Sequence, residues 1–98
     1  MNVITLTKEL LSIPSPSGEE KKIGEYLVQR LRGNFEVTLQ DVGGRFNILA
    51  TRGEPQLLLT THIDTVPGEL RVYEDDEWLY GRGACDTKGI IASMICAS

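Results

Sequence analysis

The chain has 98 residues, 41% of them hydrophobic and 24% charged, with ten Lys and Arg against fourteen Asp and Glu for a net charge of −4. That composition excludes the collagenous, disulfide-framed and compositionally disordered classes. No apolar run approaches the roughly 18–20 residues that cross a bilayer, and the first residues lack the basic and apolar regions of a secretory signal, so a cytoplasmic location is expected. The run Glu74-Asp75-Asp76-Glu77 accounts for the whole acidic excess. Lys and Arg are scattered singly or in pairs, without the basic stripe of a nucleic-acid binder or the basic face of a peripheral membrane protein, so neither partner is expected. Cys85 and Cys96 read as reduced core thiols, and a disulfide is not expected in that compartment.

Val3, Leu6, Leu10 and Ile13 fall three or four apart, which predicts a helix ending before Pro14. Ser17 followed by Glu20 is a capping-box pattern. It predicts a second helix from there, with Ile23, Leu27 and Leu31 inward, stopping at Gly33 or Asn34. The period then changes to two. Phe35, Val37 and Leu39 alternate with polar residues as in a half-buried strand, and Gly43-Gly44 turns the chain into a second strand over Phe46 to Thr51. Leu57 to Thr61 is apolar without alternation, the pattern of a strand covered on both faces inside a largely parallel or mixed sheet. Leu70 to Tyr73 and Trp78 to Tyr80 predict a hairpin with the acidic run at its tip, and Lys88 to Ser98 predicts a last helix with Ile91, Met94 and Ile95 buried. The fold class is therefore α/β, a mixed and mostly parallel sheet flanked by helices. The last helix shows no terminator, so the natural chain is expected to continue, and so small a domain would be marginal alone.

His62, the single histidine, follows the apolar strand, and Asp64 lies two residues on. Side chains two apart on an extended chain point the same way, and at the carboxyl end of an interior strand they would face one crevice. Such a pair is either a satisfied structural contact or a metal-binding imidazole whose other N–H is held by the carboxylate. The second unusual segment is Gly81-Arg82-Gly83-Ala84-Cys85-Asp86-Thr87-Lys88-Gly89. Asp86 stands where a dinucleotide fingerprint needs its third glycine, and Lys88-Gly89 replaces the Gly-Lys-Ser/Thr of a phosphate loop, so both nucleotide readings fail. What remains is a tight turn exposing Asp86 before a helix, either as an N-cap, with Arg82 a surface partner, or as a ligand.

Taken together, Thr61-His62-Ile63-Asp64-Thr65-Val66-Pro67 and Leu79-Tyr80-Gly81-Arg82-Gly83-Ala84-Cys85-Asp86-Thr87-Lys88-Gly89 resemble the signature pair of the co-catalytic zinc amidohydrolases and peptidases. That family includes acetylornithine deacetylase, succinyl-diaminopimelate desuccinylase, aminoacylase and glutamate carboxypeptidase. The Ile13-Pro14-Ser15-Pro16-Ser17-Gly18-Glu19 bend and Asn47-Ile48-Leu49-Ala50 are similar to the same family, so the resemblance covers nearly the whole chain. It implies that His62 ligates one zinc and Asp86 bridges two. Asp64 would polarise His62, and the peptide between Asp86 and Thr87 would be cis. Cobalt or manganese could replace zinc. It also implies a base from a downstream Glu-Glu pair and further ligands after Ser98. Residues 1–98 would then be the N-terminal portion of a metallohydrolase catalytic domain, inactive alone and a weak zinc binder at most.

The reaction so implied is hydrolysis of an N-acyl amino acid in the manner of acetylornithine deacetylase, in a setting of amino-acid biosynthesis. The alternative is a glutamate carboxypeptidase or dipeptidase acting on a dipeptide. The complete enzyme is expected to be a homodimer. Three departures touch the rim of the substrate site. Thr87 stands where the family commonly has a hydrophobic residue and Ile90 where it has a second glycine, and Gly68 to Trp78 is compact, which suits a small substrate. Trp78 and Tyr80 read as packing residues flanking the turn. A competing class is a non-catalytic binding or assembly module that pairs through its final helix; metal content separates the two.

Overall fold

The computed structural model describes residues 2–68 and 70–98. Helix α1 spans Val3–Leu11, and Asn2 caps it, its Oδ1 accepting from the backbone N–H of Ile4 at 2.8 Å and of Thr5 at 3.1 Å. It stops two residues before the predicted end because Pro14 disfavours helical backbone at Ile13. Helix α2, Lys21–Leu31, starts three residues later than the capping box predicts. Ser17 spends its hydroxyl on Asp64, while the Glu20 carboxylate accepts from the Gly18 N–H and pairs with Arg45. Both capping groups are thus committed elsewhere.

Strands β1 (Glu36–Val42) and β2 (Arg45–Thr51) form an antiparallel ladder from Glu36 opposite Thr51 to Val42 opposite Arg45. Gly43 and Gly44 both have positive φ, 58° and 87°, as a two-residue hairpin turn requires. Val37, Ile48 and Ala50 turn towards the helices, whereas Leu39, predicted to be inward, is exposed. The predicted second hairpin is present as β3 (Tyr73–Glu74) and β4 (Leu79–Tyr80). Asp75 closes its turn by accepting from the N–H groups of Glu77 and Trp78 at 2.8 and 2.7 Å. Tyr73 and Tyr80 face each other with ring centroids 5.6 Å apart, but Trp78 is 64% exposed and packs on no core, because the hairpin lies outside it.

Helix α3 spans Gly89–Ala97 and buries Ile91 and Ala92; Met94 and Ile95 are half-buried. The core joins Leu6 and Leu10 of α1, Ile23, Leu27 and Leu31 of α2, and Ile91 and Ala92 of α3, with Phe35, Val37, Ile48, Ala50 and Ile63 packed around it. The chain is α/β, as the sequence predicts. Among the described residues the two ladders are local antiparallel hairpins, and the parallel pairing is an isolated bridge between Pro16 and Thr65. Residues 57–61, predicted as an interior strand, form no strand, and Leu57 and Leu58 stand 78% and 76% exposed. An apolar run reports that a strand wants cover on two faces, and no neighbouring strand among the described residues supplies it. Cys96 is half-buried, but Cys85 is exposed because its turn lies at the rim of a cavity; both are free thiols.

Candidate metal centre

Two segments meet at the site, each strapped to the bend that follows α1. The Thr65 N–H donates to the Ser15 carbonyl at 2.8 Å, the Ser17 N–H donates to the Thr65 carbonyl at 3.1 Å, and the buried Ser15 hydroxyl donates to the Ile63 carbonyl at 2.7 Å. These three bonds hold the backbone on either side of Asp64. The second segment is a single π-type turn, Ala84–Lys88, in which the Lys88 N–H reaches back to the Gly83 carbonyl at 2.8 Å. Gly83 has φ 83°, and a Cβ there would lie 2.6 Å from Thr65 Cγ2, so glycine is required both by conformation and by the close approach of the two segments. Lys88 is 2% exposed, and its ammonium donates to the Ile13 carbonyl at 2.8 Å. Burial holds its pKa below the ordinary lysine value.

This scaffold brings the three predicted residues together. His62 Nδ1 lies 3.0 Å from Asp64 Oδ1, and His62 Nε2 lies 2.9 Å from Asp86 Oδ1, across 24 residues of sequence. The peptide between Asp86 and Thr87 is cis. The capping alternative for Asp86 is excluded: its side chain makes no bond to the backbone of α3 or of the turn and stands 81% exposed. Arg82 instead donates from Nε to the Gly68 carbonyl at 2.9 Å. Ser17, His62, Asp64, Tyr80, Arg82 and Asp86 line one open cavity of about 640 Å³.

The electrostatics follow from the contacts. Desolvation pulls the His62 pKa down, but the hydrogen bond to Asp86, the backbone bond to Asp64 and the two negative charges outweigh it, so the imidazole is more basic than usual. Asp64 is held below the ordinary carboxylate range, first by the hydrogen bond from Ser17 and further by His62. Asp64 therefore stays ionised and fixes one ring nitrogen of His62, leaving Nε2 turned towards the exposed Asp86 carboxylate. An imidazole nitrogen and an accessible carboxylate are a donor set suited to zinc, cobalt or manganese, and a carboxylate behind the imidazole is the usual support for such a ligand. The residues fit part of a centre. Among the described residues no group of three or more His, Cys, Asp or Glu is placed to hold an ion.

Ser15, Ser17, Thr61, Thr87 and Lys88 lie within the segments the sequence singles out but have no predicted role at the site, yet they make the bonds that build it. Small hydroxyl residues crowded beside a His or Asp are the faint signal that could have marked them.

Residues 58–98 match the profile of Peptidase family M20/M25/M40. A protein of Emericella nidulans named "Probable carboxypeptidase AN5749" is 40% identical over a 109-residue alignment that covers 97% of this chain and 26% of that protein. The LysW-lysine/LysW-ornithine hydrolase of Sulfurisphaera tokodaii is 37% identical over 93 residues, covering 95% of this chain and 26% of its own length. That of Saccharolobus islandicus is 36% identical with the same coverage. The chain thus spans about a quarter of the length of these relatives.

Proposed function

Because the chain belongs to peptidase family M20/M25/M40, we propose that it is the N-terminal portion of the catalytic domain of a metal-dependent hydrolase that cleaves the amide bond of an N-acyl amino acid. The observation that carries this reading is the approach of His62 Nε2 to Asp86 Oδ1 at 2.9 Å over a shared cavity, with Asp64 bound to the other ring nitrogen. His62 would hold one zinc ion and Asp86 would bridge it to a second. Bound there, such ions supply an acidified water and polarisation of the scissile carbonyl.

The chain's own residues have definable tasks. With an ion bound, Asp64 would keep the proton of His62 on Nδ1, and Nε2 would turn its lone pair to the ion in place of its hydrogen bond to Asp86. Ser17 donates to Asp64 and keeps that carboxylate turned to the imidazole. The negative charge of Asp86, exposed at the cavity, would offset the repulsion of adjacent cations. Tyr80 and Arg82 form the rim against which a small substrate would lie. A general base and further ligands would come from elsewhere in the complete protein, a homodimer on this reading.

Two names among the relatives favour different substrates. The LysW-lysine/LysW-ornithine hydrolases support a modified amino acid as substrate, and the carboxypeptidase supports a peptide. The full-length protein should hydrolyse N-acyl amino acids and lose that activity on chelation, with zinc restoring it. His62→Ala and Asp86→Ala should each lower turnover by roughly a thousandfold or more while leaving the fold intact, as loss of a metal ligand does. Retained turnover in either variant would exclude these roles, and preferential cleavage of C-terminal residues from peptides would select the carboxypeptidase.

A further inference from the structure

We propose that Thr87 is a positioning residue for this metal site, its buried hydroxyl setting the separation between the backbone that carries His62 and the backbone that carries Asp86. The inference rests on the metal-binding reading above. Thr87 is 4% exposed. Its Oγ1 donates to the His62 carbonyl at 2.9 Å, and Thr61 Oγ1 lies 3.0 Å from it.

Proton accounting gives this pair of contacts a direction. A carbonyl only accepts and a hydroxyl has a single proton, so the Thr87 proton is committed to His62 and Thr61 must donate to Thr87. The outcome is a chain of bonds running from Thr61 through Thr87 to the peptide of His62. Because Thr87 follows Asp86 directly, anchoring its side chain also anchors the peptide from which the Asp86 carboxylate projects.

Arg82 also joins the two segments, through the Gly68 carbonyl and away from both ligand positions, whereas the Thr87 bond runs from the neighbour of Asp86 to the carbonyl of His62 itself. Ser15 and Lys88 fasten the two segments separately to the bend after α1, through the carbonyls of Ile63 and Ile13. The contact between His62 and Asp86 is made by the two groups that would turn to an ion, so it cannot fix their spacing once they do so. The Thr87 bond engages only a side chain and a backbone carbonyl, and it survives whatever the imidazole and carboxylate hold. It is the bond that presents two ligands at a set distance before any ion arrives.

The test is zinc affinity of the full-length protein, read by competition with a chromophoric chelator, for Thr87→Val, Thr87→Ser, Thr61→Val and His62→Ala. Circular dichroism of each metal-free form establishes that it is folded; when it is, a loss of stability alone leaves affinity unchanged. Thr87→Val is isosteric without the hydroxyl and should weaken zinc binding roughly tenfold or more, the usual effect of removing a group that supports a ligand. Thr87→Ser should bind nearly as the parent does, and Thr61→Val should show a smaller loss in the same direction. Parent-like affinity in Thr87→Val, or equal weakening by Val and Ser, would overturn the proposal. Should Thr87→Val fail to fold, Thr61→Val decides, since unchanged affinity there would remove the bond chain from the metal site. If His62→Ala binds zinc as the parent does, the metal reading itself fails, a result distinct from the failure of Thr87 alone.

Discussion

The helical core and the site loops of this chain are held together by different physics. In the core, Leu6, Leu10 and Ile23 are fully buried, and each stripe residue touches several others, so the stabilisation is collective and non-directional. In the segments 61–65 and 81–88, order comes from single directed bonds: Ser15 to Ile63, Ser17 to Asp64, Thr87 to His62 and Lys88 to Ile13. Damage to the core should therefore cost stability across the whole domain, and damage to one strap should misplace one ligand. A site built from exposed side chains has no alternative, since burial cannot orient groups that must stay open to a cavity.

The largest expected effect on stability is at the core. Leu10→Ala, at a position with no exposed surface, should destabilise the domain by about 2–5 kcal/mol, read by denaturant unfolding of the full-length protein. A loss below about 1 kcal/mol would mean that the helices are not the cooperative unit. Lys88→Met should cost about 1–3 kcal/mol by leaving the Ile13 carbonyl without its donor. Unlike Leu10→Ala, it should also weaken zinc binding in a folded protein; a stability loss with zinc binding untouched would show that the strap belongs to the core.

These contrasts match what the sequence exposed. Periodicity marked all three helices and both hairpins, because their apolar spacing is a property of neighbours along the chain. The capping-box pattern misplaced the start of α2, since the hydroxyl of Ser17 found Asp64, 47 residues away, in place of the helix backbone. The apolar pattern also predicted a covered strand at 57–61, where it names a need but not the partner that meets it. The pairing of His62 with Asp64 was legible from a spacing of two. The approach of Asp86 depended on the turn at Gly83 and on resemblance, because no local rule carries a contact across 24 residues. The chemistry of Cys85, Trp78 and Tyr80 alone reads as packed, yet all three are exposed.

Smaller effects sharpen the same comparison at the edge of the core. Asn2→Ala removes two cap bonds from α1 and should cost about 1 kcal/mol in thermal unfolding, with zinc affinity unchanged. Tyr26 offers a pH signature. Burial and its hydrogen bond to Glu9 push its pKa up to about 12, despite the nearby Arg30 charge. A folded value above the unfolded one of about 10 means that the associated stabilisation is fully present below pH ~10 and is lost as pH rises through about 12. Ultraviolet titration of tyrosinate should show a component near 12 that disappears in Tyr26→Phe. Its persistence in that variant would assign it to another tyrosine.

The convergence of His62 and Asp86 on one metal site is tested most directly by anomalous scattering at the zinc edge from crystals of the full-length protein. The account predicts a peak within about 2.0–2.2 Å of His62 Nε2 and of an Asp86 carboxylate oxygen, the ordinary zinc–ligand distances. A zinc peak ligated by neither residue would contradict it.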